Sequence, residues 1–121
     1  MKELRVLVFR DVEVITALVE ARRHAGAPLP FGSILGITKS EHAGVSAALR
    51  IVSDDGDDTV VAFAAQEIAA ALVRYCMDRK VPLPRGSAKS VTLIGDELVL
   101  CLDVPQGDAR SMIGKRLGVS A

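Results

Sequence analysis

Apolar and polar positions alternate between two periods along this chain, and the change of period marks its elements. Residues 4–10 are rich in large and β-branched apolar side chains and read as a strand. Asp11 then stands where an N-cap oxygen is wanted, and Val12, Ile15 and Val19, with Val14 and Leu18, recur at helical spacing. Glu13, Glu20 and Arg23 take the opposite side, and Gly26, Pro28 and Pro30 end the helix. Residues 59–64 read as a second such strand and 65–79 as a second helix. Ile68, Leu72, Tyr75 and Cys76 turn inward there, and Gln66, Glu67, Arg74 and Asp78 outward.

The clearest hairpin comprises residues 91–94 and 97–104 around the turn Gly95-Asp96. That register sets Leu93 opposite Leu98 and Val91 opposite Leu100. One row is then wholly apolar (Val91, Leu93, Leu98, Leu100, Leu102, Val104) and the other is mixed. A matching hairpin is expected at 34–39 and 45–53, with a longer turn at Glu41-His42-Ala43-Gly44.

These similarities are one repeat. A shift of 54 residues superposes Pro28-Leu29-Pro30-Phe31-Gly32-Ser33 on Pro82-Leu83-Pro84-Arg85-Gly86-Ser87. Phe9 meets Phe63, Glu13 meets Glu67, Ala17-Leu18-Val19 meets Ala71-Leu72-Val73, Thr38 meets Thr92 and Val45 meets Val99. Residues 6–38 hold 12 identities over 33 ungapped positions, where composition alone gives roughly two or three. The expected fold is therefore α+β, an internally duplicated (βαββ)2. It would be one domain over 1–121, with pseudo-repeats 1–54 and 55–108 sharing one core, an antiparallel or mixed sheet with two helices on one face, and a basic tail at 109–121.

Composition adds that the core is aliphatic, since the only aromatics are three Phe and one Tyr. Net charge is zero, which excludes a general polyanion binder. The zero is a cancellation: about +1 over 1–54, −4 over 55–108 and +3 in the tail. No apolar run is long enough for a membrane span, and the first residues lack a signal-peptide pattern, so a cytoplasmic setting is expected. Cys76 and Cys101 form no C-x-x-C and are expected as buried thiols.

Candidate chemistry is sparse. The run Asp54-Asp55-Gly56-Asp57-Asp58 departs from a calcium loop, because Thr59 and Ala65 stand where Gly and Glu are needed. His24 and His42 are isolated and no G-x-S-x-G is present, so neither a metal, a cofactor nor a catalytic triad is expected. Arg79, Lys80, Arg85, Ser87 and Lys89 lie in a stretch without acids and form a candidate anion or nucleic-acid site. The mixed row of the hairpin supplies a candidate oligomer interface at Ile94, Val99 and Cys101. Glu13 or Glu67, equivalent by the repeat, is the candidate acid or base of a small enzyme with a pocket between the repeats.

Tyr75-Cys76, Pro82-Leu83-Pro84-Arg85 and Lys89-Ser90-Val91 together resemble a segment of small uncharacterised bacterial proteins, which implies no activity. The duplicated plan is similar to that of tautomerase-like proteins, whose chemistry needs a proline after the initiator Met; here Lys2 stands there. It is also similar to effector-binding domains of the gyrase-inhibitor type, which hold small molecules in an aromatic cleft that this aliphatic chain does not reproduce. The function expected is a non-catalytic binding or assembly domain acting as a homo-oligomer, a dimer first. The alternatives are binding of an anion or nucleic acid through 79–89, and a small enzyme or effector-binding domain.

Overall fold

The structure is a computed structural model that describes residues 3–104. The expected basic tail lies outside the described residues. Eight elements follow one another: β1 (Glu3–Phe9), α1 (Asp11–His24), β2 (Ser33–Glu41), β3 (Val45–Val52), β4 (Asp58–Ala64), α2 (Ala65–Asp78), β5 (Ala88–Ile94) and β6 (Glu97–Val104). The chain is α+β, and the order β-α-β-β occurs twice.

The helices bury matching positions. α1 turns Val14, Ala17 and Leu18 inward, and α2 turns Ile68, Ala71, Leu72 and Cys76 inward. Two apolar stripes compete on α1, and the one led by Val12 loses. At about 100° per residue Val12 stands nearly opposite Val14 and Leu18, and it is exposed. The start of α1 also differs from expectation. Arg10 is the extended residue before the helix, Asp11 is its first helical residue, and Glu13 Oε1 accepts the Arg10 backbone N–H at 2.8 Å. Glu13 thereby supplies the returning half of a capping box.

Both helices end alike. The Ala27 N–H donates to the Arg22 carbonyl at 3.0 Å, and the Val81 N–H to the Cys76 carbonyl at 2.8 Å. Each bond spans a residue at positive φ, Gly26 at 73° and Lys80 at 58°. A side chain at such a φ is strained by about 1 kcal/mol, so Lys80→Gly is expected to stabilise the protein by about that amount. Urea unfolding measures it, and a midpoint that stays put or falls would contradict the strain.

The strands do not form the single sheet expected. They form two antiparallel three-stranded sheets, β1-β6-β5 and β2-β3-β4. Each sheet takes a hairpin from one half of the chain and the first strand of the other half. β1 lies beside β6, with Phe9 opposite Leu98, and β4 lies beside β3, with Phe63 opposite Ala47. A side chain bridges the two sheets at β5. Glu41, at the end of β2, accepts the Leu93 N–H at 2.9 Å and the Thr92 hydroxyl at 3.2 Å. Its carboxylate thus occupies the edge where another strand would dock.

The β5–β6 register has Leu93 opposite Leu98 and Val91 opposite Leu100, and Gly95 turns at φ 62°. The first hairpin is longer. Lys39 pairs with Ala47, eight positions on, whereas Leu93 pairs with Leu98, five positions on. The shift of 54 therefore fails beyond the turn, and Val45 is not the counterpart of Val99. Val45 shares the core-facing row with Ala47, Leu49 and Ile51, whereas Val99 alternates with Leu98 and Leu100.

One core joins the halves: Phe9, Leu18, Leu49, Phe63, Leu72 and Leu100 belong to the same buried cluster. α1 and α2 pack on each other; α1 touches β6, and α2 touches β3, β4 and β5. Lys39 stands on the core-facing row of β2. It bonds Asp11 at 2.5 Å and the Asp96 carbonyl, tying this sheet to the start of α1 and to the far hairpin tip.

Candidate functional site

The basic segment does not converge into one cradle. Arg79 follows α2, donates two bonds to Glu20 at 3.2 Å each, and stacks over the Tyr75 ring at 3.7 Å. Its hydrogen bonds to Glu20 hold that carboxyl below its ordinary pKa. Lys80 is the helix-end residue already described. Arg85 is exposed in the following turn. Ser87 is buried, and its hydroxyl donates to the Pro84 carbonyl at 2.9 Å. Lys89 Nζ donates to the Ser87 carbonyl at 3.0 Å. These five residues are thus spread over a helix end, a turn and a strand, and among the described residues the hydrogen bond between them joins Lys89 to Ser87.

The equivalent glutamates have unlike partners. Glu13 caps α1, and the Arg10 N–H keeps its carboxyl below the usual range. Glu67 accepts from Arg22 Nε at 2.7 Å, while the Arg22 guanidinium lies 4.7 Å above the Phe63 ring. The acidic run makes the β3–β4 turn, where the Ser53 hydroxyl accepts the Asp57 N–H at 3.1 Å and Gly56 adopts φ 88°. Asp58 pairs with Arg50. Among the described residues no three His, Cys, Asp or Glu side chains gather as a metal site. Cys76 and Cys101 are free thiols; burial raises the pKa of Cys76, and Cys101 is half-buried.

Of the expected interface residues, Ile94 is exposed and Cys101 partly so, but Val99 is only 1% exposed. Val99 is therefore packed within the chain and offers no surface. The exposed apolar row lies instead on β1: Leu4 at 58%, Val6 at 47% and Val8 at 54%. These residues pair with Asp103, Cys101 and Val99, so they share the outer face of the sheet. The alternation of residues 4–10 contained this signal, since Leu4, Val6 and Val8 form one row and Leu7 and Phe9 the other.

β1 is also the plainest of the four sheet edges. β5 is capped by Glu41. β2 is bulged between Ile34 and Gly36, and β4 opens from the acidic turn with Asp58 tied to Arg50. β1 pairs with β6 without a register shift and contains no proline.

Two concave surfaces among the described residues add to this picture. One of about 410 Å3 is lined by Val19, Leu29, Ile34 and Ile51 beside Phe31, which is 99% exposed at the loop tip. The other, between α1 and α2, holds about 760 Å3. No helix among the described residues is long and apolar enough to cross a membrane. No protein-family model matches the chain, and neither a curated protein nor a solved structure matches it.

Proposed function

We propose that this chain is a binding and assembly domain that works as a homodimer, joined through β1. The observation that carries the reading is the exposed row Leu4, Val6 and Val8 on an edge strand free of bulge and proline. Antiparallel pairing of β1 with its copy about Val6 sets Val6 against Val6 and Leu4 against Val8. The strand is then its own complement, as a two-fold interface requires. Two three-stranded sheets become one of six strands, and a strand edge otherwise prone to unspecific pairing is closed.

The same reading takes the two halves as descendants of one βαββ unit. The shared helix-burial positions, the twin helix ends and the reciprocal strand pairing support it. A cytoplasmic setting fits the two free thiols.

Size-exclusion chromatography with light scattering tests the dimer. The wild-type protein is expected at twice the chain mass, and Val6→Lys at the chain mass. Circular dichroism should be unchanged, because Val6 is half exposed on the outer face and stands outside the buried core. A wild-type monomer at high concentration, or a folded Val6→Lys that remains dimeric, would overturn the reading.

A further inference from the structure

The halves also meet through their helices, and there the surface is concave. The groove of about 760 Å3 between the end of α1 and the exposed side of α2 falls within the size range of small-ligand sites. Ala21, Ala25, Ala70, Val73 and Met77 are among its apolar lining. Four of these five side chains are no larger than valine, so a ligand there lies close to helix backbone. Met77 is flexible and exposed, able to fit itself to an irregular aliphatic shape.

The rim is charged unevenly. Arg22, Arg74 and Lys89 stand there against Glu67 and Asp78, an excess of one positive charge. Arg22 is answered by Glu67 at 2.7 Å. Arg74 is held loosely, 3.8 Å from Asp78 and 3.2 Å from His24 Nδ1. Lys89 has no carboxylate partner among the described residues; its ammonium donates to the Ser87 carbonyl.

We propose that this groove binds a small amphiphilic anion, an aliphatic body over Ala70, Val73 and Met77 with a carboxylate or phosphate head against Lys89 and Arg74. A polar body would give up water over a floor of alkyl side chains that returns no hydrogen bonds. A cationic head would meet an ammonium that has no carboxylate partner among the described residues, whereas an anionic head adds a charge-assisted hydrogen bond to it. From the basic stretch 79–89 the groove recruits Lys89 alone. No β1 residue lines it, so the site stands or falls independently of the dimer.

The test titrates decanoate, decyl phosphate, decyltrimethylammonium and inorganic phosphate into the full chain, followed by calorimetry and amide chemical shifts. One of the two anionic amphiphiles is expected to saturate a single site, with shifts confined to α1, α2 and the start of β5; which one does so fixes the head group. The cationic amphiphile and phosphate alone should bind at least about tenfold more weakly. Lys89→Glu should weaken the anion by about tenfold or more. Ala70→Trp, which fills the floor, should abolish binding, and Val6→Lys should leave it unchanged. Equal binding of the cationic and anionic amphiphiles, full affinity in Lys89→Glu, or no saturable anion binding up to about 1 mM would overturn the proposal.

Discussion

Gly32→Ala is expected to destabilise the protein by about 3 kcal/mol. A β-carbon added there would sit 2.4 Å from the Val52 carbonyl oxygen and 2.8 Å from its carbon, both backbone atoms of the neighbouring strand. The residue also holds φ at 150°, a region L side chains rarely adopt. The strand must move away or the turn must open, and either change disturbs the start of the β2–β3 ladder, where Ser33 pairs with Val52. Gly36→Ala is the control. It lies three residues from Ser33 on the same strand, meets nothing within 4 Å, and is expected to change stability by less than about 0.5 kcal/mol. Urea denaturation of both variants separates a steric requirement from general sensitivity of the strand; equal effects would refute the steric one.

Leu72→Ala should destabilise by about 2–5 kcal/mol, because it empties the middle of the shared core. That is a large part of the 5–15 kcal/mol that holds an ordinary domain together. The pattern of the loss is the sharper test. Leu72 belongs to the second half of the chain, yet its cluster includes Phe9, Leu18 and Leu49 from the first. Amide hydrogen exchange should therefore speed up in β3 as much as in β6. Protection lost from one half alone would mean that the halves unfold separately. Leu18→Ala, at the matching place on α1, is expected to behave alike.

Local order was readable from the sequence, because local physics sets it. The prolines and Gly26 stop α1, Gly95 turns the second hairpin, and the row Leu98, Leu100, Leu102 leaves that hairpin one register with a buried face. Long-range pairing was not readable. Nothing in the alternation of residues 4–10 names β6 as its neighbour. The roles of Lys39 and Glu41 have no local signal, since their partners Asp11, Asp96, Leu93 and Thr92 lie far off in the chain. Val99 was misplaced for the same reason: the mixed row looked half wet, and the burial of its central residue depends on packing that no local pattern encodes. Within the basic stretch the sequence does not show which partner each residue takes: Arg79 pairs with Glu20, and Lys89 with the Ser87 carbonyl. The groove was invisible because α1, α2 and β5 each supply only a part of its wall.

The crossing of strands between the halves also sets the order of events at the ribosome. Sheet β2-β3-β4 lies within residues 33–64 and closes by local pairing. Among the described elements β1 is made first and its partner β6 last, with Glu3 opposite Val104. At ordinary rates of synthesis the first strand waits roughly 5–20 seconds for the last. Throughout that interval Leu4, Val6, Leu7, Val8 and Phe9 have no ladder to join. Until then the nascent chain carries an apolar, β-prone segment with both strand edges unpaired. Pairing Glu3 with Val104 closes the longest-range strand ladder among the described residues.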